Sequence, residues 1–316
     1  MMKRLALVLF LIVISGCSVQ EETIQEPEGM LKGVSLSPRS NQAEDFTGFF
    51  EKAKEAGNMV MWAGDWNQLR TDKGAAKVVT GLAETYGYMP LVEATFHSNG
   101  ELVRPLNEEN KKMYKDNAVA FAEEYKPKYL GLGIEVNGVY VKSKKDFEAF
   151  VPFYNEVYDA VKAVSPNTKV FTVFQLERMK GLTLWEIEEN EPHWELIDRL
   201  KSDLAAFTTY PGLFYRNPKD ILPDHYTEIL LHTTKPVAFT EIGWHSAPSP
   251  IGWKSSEAEQ AEFIETFFNL TKDMDKEIII WSFLYDMEII EPFDSMGLMR
   301  KDGTPREAWE KWLKLS

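Results

Sequence analysis

The sequence is nearly without cysteine. Cys17 is the single one, so beyond it neither an intrachain disulfide nor a thiolate metal site can form. Positive charge is also short. Thirty-five lysines and arginines stand against 49 aspartates and glutamates, a net charge of −14. Such a surface repels nucleic acid and anionic headgroups, so neither is an expected partner. No glycine-rich phosphate turn follows the first apolar segment, which runs instead into SLSPRSNQ. P-loop, HExxH and calcium-loop patterns are missing too, which removes the motif basis for a nucleotide or metalloprotease site. Long apolar runs are missing with one exception, at the N-terminus.

That exception is LALVLFLIVI. It follows Lys3 and Arg4 and leads into Ser15, Gly16 and Cys17. A short basic start, an apolar run of this length and small residues at its end make residues 1–16 a secretory signal peptide rather than a membrane span. The ISGC ending resembles the bacterial lipobox. The resemblance implies cleavage before Cys17 and lipidation of its thiol, and two or more acyl chains hold a protein stably on a membrane. SVQEETIQEPEG is polar, acidic and proline-containing, as a flexible tether is. The chain thus divides into a signal peptide (1–16), a lipidated cysteine with its tether (17–29) and one domain (30–316). The expected location is extracytoplasmic. The domain touches a membrane only through its lipid, or is secreted if cleavage is of the ordinary kind.

Within the domain two patterns alternate. Apolar runs of strand length recur at 31–37, 58–64, 89–96, 129–136, 169–175, 204–210, 235–243 and 277–285. Between them lie amphipathic segments, clearest at 43–57, 107–125, 145–165 and 256–274 and weakest near PHWELIDRLK at 192–201. No second domain and no longer repeat interrupts this order. Strict β-α alternation argues for a parallel sheet with helical crossovers. Eight units predict a single (β/α)₈ barrel, because an open doubly wound sheet usually carries a glycine-rich turn after its first strand.

In such a barrel the chemistry lies at the C-terminal ends of the strands. There the sequence places Trp62, Asp65 and Trp66 after strand two, and His97 after strand three, which carries Glu93 within it. Glu135 and Asn137 follow in GIEVNG, Glu177 after strand five and Tyr210 in TTYPG. Glu241 and Trp244 stand in TEIGWHS, and Trp281 in IIIWSFLYD. Glu135 and Glu241 end strands on opposite sides of the mouth, so their carboxyls can meet across one pocket. A carboxyl pair is what glycosidic bond hydrolysis needs, one to protonate the leaving oxygen and one to attack or to activate water. Aromatic and polar residues at the same rim suit sugar rings and hydroxyls.

A barrel with glutamates at the ends of strands four and seven resembles the clan A glycoside hydrolases. TEIGWHS is similar to the nucleophile segment of plant-type endo-β-1,3-glucanases, and TTYPG fits that family and the related endo-β-galactanases. The resemblance implies a retaining hydrolase of β-linked glycans. In it Glu241 is the nucleophile, Glu135 the acid/base, Tyr210 a hydrogen-bond partner of the nucleophile and Trp281 a floor for the sugar. His97, Asn137, Trp62, Asp65, Trp66 and Trp244 are further candidate substrate contacts. No cofactor and no metal are implied, and the partner is an oligo- or polysaccharide. In much of the clan an asparagine directly precedes the acid/base. Here Ile134 stands in that place, and Asn137 shares the side of Glu135 if the strand continues through both.

Two other readings fit the same scaffold. A carbohydrate-binding lipoprotein without catalysis is one, since fold does not fix function. A metal-assisted barrel hydrolase is the other. It would need clustered histidine and aspartate, yet of five histidines only His97 and His245 fall at expected strand ends.

Overall fold

The computed structural model describes residues 30–71, 74–182, 191–248 and 254–315. The expected signal peptide, Cys17 and the tether lie outside them, as do residues 185–190 of an acidic run in the sequence. Eight parallel strands form the centre: β1 (Leu31–Ser35), β2 (Met59–Asp65), β3 (Met89–Thr95), β4 (Tyr129–Leu132), β5 (Lys169–Phe171 and Val173–Gln175), β6 (Ala205–Thr209), β7 (Val237–Ile242) and β8 (Lys276–Trp281). Each pairs with its sequence neighbour, and β1 pairs with β8. Strand β5 closes the ring. Its first segment pairs with β4, its second with β6, and Thr172 lies at the break. The sheet is thus a single (β/α)₈ barrel.

The side chains explain the closure. Leu31, Met59, Leu91, Phe171, Ala206 and Ile280 fill the interior. Their alternating neighbours, such as Val60, Val92, Phe239 and Ile279, belong to the larger apolar layer between barrel and helices. Strands buried on both faces read as continuous apolar runs, which is how they appear in the sequence. Gly33 is required for strand contact, since a Cβ there would stand 1.8 Å from the Met59 carbonyl oxygen.

Around the barrel lie α1 (Ala43–Ala56), α2 (Ala75–Tyr86), α3 (Glu108–Tyr125), α4 (Val136–Lys142), α5 (Lys144–Val164), α6 (Leu176–Met179), α7 (Glu257–Leu270) and α8 (Glu307–Lys314). The starts of α3, α5 and α7 carry Asn or Ser caps that satisfy free N–H groups. Asn107 accepts from the Asn110 amide at 2.9 Å, Ser143 from Asp146 at 3.3 Å and Ser256 from Glu259 at 3.2 Å.

The structure corrects the expected elements in three places. The run at 129–136 is strand only to Leu132, and from Val136 it is helix. Residues 194–199 form a 3₁₀ helix rather than an α-helix. After β6 the connection is built of 3₁₀ turns, Pro211–Leu213, Pro218–Asp220 and Thr227–Leu231. Prolines at the first position of two of these turns set their φ and interrupt any longer helical pattern. Among the described residues no helix is long and apolar enough to cross a membrane.

Candidate active site

Glu241 reaches the mouth through an irregularity in β7. Val237 and Phe239 pack in the outer layer and Ala238 in the interior. Plain alternation would send Glu241 outward with Phe239. Instead the pairing slips: Phe239 stands opposite Phe207, and Glu241 opposite Thr208. The extra residue, Thr240, turns Glu241 inward and returns Ile242 to the outer layer. Bulges of this kind re-aim side chains beside active sites.

Glu135 reaches the same mouth by a different device. Strand β4 ends at Leu132, Gly133 has φ +116° and Glu135 has φ +51°. A left-handed glutamate is costly, on the order of 1–2 kcal/mol relative to right-handed backbone, and such residues concentrate at functional sites. Glu135 is the residue before the first turn of α4. Its carboxylate accepts a hydrogen bond from Thr208 Oγ1 at 2.7 Å. Thr208 therefore contacts one carboxylate with its hydroxyl and is the register partner of the other.

Tyr210 donates its phenol proton to Glu241 Oε2. The Ser282 hydroxyl lies 3.0 Å from the phenol oxygen and 2.8 Å from the Ile242 carbonyl, so it ties β7, β8 and Tyr210 together. Gly243 makes room for this arrangement. A Cβ there would meet the Tyr210 ring at 3.0 Å and Ser282 Oγ at 3.1 Å. The Tyr210 backbone is anchored from beneath by Glu177. That fully buried carboxylate accepts from Thr209 Oγ1 and Gln175 Nε2, each at 2.5 Å, and from the Tyr210 amide at 3.4 Å, with His225 Nε2 at 3.2 Å.

The electrostatics follow from burial. Desolvation pushes the Glu241 carboxyl up to about 7, with the Tyr210 hydrogen bond opposing and the Glu135 charge adding to the rise. Glu135 is also raised by burial, against the Thr208 hydrogen bond and the Arg178 charge. Glu93 stands inside the barrel, fully buried, with neither oxygen in a hydrogen bond of good geometry. Burial and the nearby Glu241 charge push it well above the ordinary carboxyl range, with Thr240 partly offsetting the rise. Burial likewise raises Tyr210 far above its usual value and keeps it a neutral donor.

Several expected contacts are elsewhere. Trp281 is fully buried in the outer layer against Phe263 and Trp312, its indole N–H donating to the Met296 carbonyl at 2.8 Å. It cannot floor the mouth, because its parity on β8 is that of Ile279 and faces the helices. Trp62 and Trp66 lie in the same layer. Trp244 is fully buried against Phe263, with its N–H on Ser255 Oγ at 3.0 Å. Asn137 does not share the side of Glu135, because α4 has begun. Its amide is committed to the backbone of Gln175, donating to the carbonyl and accepting from the N–H, each at 2.9 Å.

His97 is buried with both ring nitrogens engaged. Nε2–H donates to the Ile134 carbonyl at 2.6 Å and Nδ1 accepts from the Gly100 amide at 3.3 Å. It braces the turn that carries Glu135, and burial lowers it to about 4, so it is neutral. Asp65 is held at 2.8 Å by Arg104 and accepts from the Asn67 amide at 3.0 Å.

Thr208, Ser282 and Arg178 were not among the sequence candidates. Thr208 was within reach, since it lies two residues before Tyr210 and shares its face of β6. Among the described residues no three histidine, cysteine, aspartate or glutamate side chains converge as metal ligands do.

No protein-family model and no curated protein matches the chain. Solved structures do. A family 39 glycoside hydrolase from Bacteroides cellulosilyticus WH2 superposes with TM-score 0.63 and 18% identity over 89% of this chain and 62% of that one. A family 5 enzyme variant from Streptomyces cattleya, in complex with Manβ1-4GlcNAc, gives 0.68 and 13% over 92% and 80%. A family 17 β-1,3-glucanosyltransferase from Rhizomucor miehei gives 0.60 and 15% over 86% and 94%. The chain therefore spans less than two thirds of the family 39 protein and most of the other two. At these identities the likeness is one of fold: the chain has the (β/α)₈ barrel on which clan A glycoside hydrolases of families 39, 5 and 17 are built.

Proposed function

We propose that the protein is a retaining glycoside hydrolase of β-linked glycans, with Glu241 as nucleophile and Glu135 as acid/base. The observation that carries this reading is the Thr208 bridge. Neighbouring strands lie about 4.8 Å apart, so a hydroxyl opposite Glu241 that binds Glu135 brings the two carboxyls to one place. Retaining pairs work at about 5 Å. The barrel shared with known glycoside hydrolases supports the same reading.

The chemistry then runs in two steps. Glu135, protonated, gives its proton to the glycosidic oxygen while a Glu241 oxygen attacks the anomeric carbon. The bond to the leaving sugar breaks and a glycosyl ester forms on Glu241. Glu135, now a base, takes a proton from water, whose oxygen attacks the anomeric carbon and frees Glu241. Tyr210 holds Glu241 in its attacking orientation. Burial of both carboxyls, and the Glu135 charge beside Glu241, favour a proton held at the site, as the first step requires.

The expected lipid on Cys17 adds an orientation. The domain is entered at the N-terminal end of β1, opposite the mouth. A tether from Cys17 would place the membrane beneath the barrel and turn the mouth toward the surroundings.

The test is hydrolysis of aryl β-glycosides and of β-glucans, galactans and mannans by wild type, Glu241→Ala and Glu135→Ala. Product of retained configuration is expected, with loss of turnover in both variants. Azide should rescue the two differently. In Glu241→Ala it occupies the nucleophile's place and yields an inverted glycosyl azide. In Glu135→Ala it attacks the glycosyl-enzyme and yields the retained one. Glycan binding by all three proteins without any turnover would instead identify a carbohydrate-binding lipoprotein.

A further inference from the structure

Most arginines of the described residues have carboxylate partners. Asp45 holds Arg39, Asp65 holds Arg104, Glu148 holds Arg199, and Glu257 holds Arg300 and, with Asp286, Arg306. Arg70 and Arg216 are exposed to water. Arg178 differs from both groups. It sits in α6, directly after β5, is partly buried, and its backbone amide donates to Gln175 Oε1 at 2.6 Å. Its guanidinium has no hydrogen bond or ion pair among the described residues, in a chain with an excess of 14 negative charges.

A guanidinium keeps its charge at all ordinary pH and presents a rigid fork of donors. Left partly buried without an anion, it is an unmet demand. Its seat is specific. A Cβ on Gly138 would stand 2.6 Å from Nη1, so glycine in the first turn of α4 lets the fork lie against the turn that Glu135 precedes. Its charge lowers Glu135, and Gly138, against which it lies, belongs to the helix that Glu135 precedes. Arg178 therefore stands on the acid/base side of the mouth. The acid/base faces the bond to the leaving group, so the sugar that meets Arg178 is the departing one.

We propose that Arg178 is a specificity residue, and that the leaving-group side of the mouth accepts a sugar carrying an oxyanion, either a uronate carboxylate or a sulfate ester. The inference rests on the glycosidase reading for which side is the leaving one. A planar carboxylate or a sulfate takes two parallel N–H bonds from one guanidinium. The overall acidity of the protein opposes such a substrate at long range, and one partly buried guanidinium supplies the local attraction.

The experiment compares matched β-linked disaccharides whose reducing-side sugar is a uronic acid, the same sugar reduced at its carboxyl, or its sulfate ester. kcat/KM is measured for wild type, Arg178→Ala and Arg178→Lys, each checked for an unchanged melting transition. The expected result is at least a tenfold wild-type preference for an anionic member over the neutral one. The preference should collapse in Arg178→Ala and survive in part in Arg178→Lys, which keeps the charge without the fork. Whether the uronate or the sulfate is the better substrate assigns the oxyanion. Equal turnover of neutral and anionic members, or a preference that survives Arg178→Ala, overturns the proposal and leaves the glycosidase reading intact. If nothing is turned over, the glycosidase reading fails, and calorimetric binding of the same sugars decides. Tighter binding of an anionic member, lost in Arg178→Ala, supports Arg178 as an oxyanion reader, and equal binding overturns it.

Discussion

Thr208 faces Glu241 across adjacent strands only because β7 slips by one residue after Phe239. Without the slip the glutamate would point into the helix layer, away from the face on which Thr208 binds Glu135. The bulge converts an ordinary buried strand into one that delivers a carboxylate to the mouth. Thr240 is the residue added, and its hydroxyl is one of the buried groups without a partner of good geometry.

Tyr210→Phe removes the phenol that donates to Glu241. That hydrogen bond lowers the Glu241 carboxyl from where burial alone would put it. Its loss is expected to move the acid limb of the pH–rate profile upward by on the order of one pH unit, and to lower kcat about tenfold, the scale of a hydrogen bond to a charged group. A profile that keeps its acid limb while kcat falls would mean that Tyr210 only fills space.

Glu135→Gln removes a neighbouring negative charge from Glu241. That charge contributes to the rise to about 7, so the Glu241 titration is expected to shift downward in the variant. Carbon NMR of labelled glutamate follows it directly. A Glu241 titration unmoved by the substitution would show that the two carboxyls do not share a site.

Glu93→Gln should stabilise the protein, and more so as pH rises. The folded-state carboxyl is raised well above 4.5. Between that value and its folded pKa the unfolded chain has released the proton and the folded one has not, so wild-type stability falls with rising pH. Glutamine has no such proton. The difference should grow by about 1.4 kcal/mol for each pH unit above 4.5, up to the folded-state value. Urea unfolding across that range measures it. A constant difference would show that Glu93 ionises in the fold.

Trp281→Ala tests whether this residue belongs to the wall or to the mouth. Removing a buried tryptophan typically costs about 3–5 kcal/mol. Trp281→Phe should lose less stability and leave KM within about twofold, because the ring lies among Phe263 and Trp312 and touches no sugar. A KM that rises tenfold in the phenylalanine variant with unchanged melting would return Trp281 to the mouth.

Much of the architecture was legible in the chain alone. Apolar runs of strand length alternating with charged helical segments specify eight β-α units, because a parallel strand is buried on both faces and a crossover helix on one. The positions of Glu135 and Glu241 at the ends of strands four and seven follow from the same count. Which way the side chains point was decided by the tertiary structure. Glu241 was expected at the mouth from its place at a strand end, yet strict alternation along β7 would turn it outward, and a one-residue slip turns it in. Asn137 was expected on the side of Glu135, and a left-handed Glu135 with the start of α4 reverses that. Neither device leaves a local signal, since each is held by neighbours distant in sequence. The tryptophans at strand ends show the same limit. Aromatic composition fits sugar platforms and apolar cores equally, and only packing against α7 and α8 places Trp244 and Trp281 in the core. Arg178 had no motif at all. It stands out because of what the fold leaves beside it, a glycine, a strained glutamate and no anion of its own.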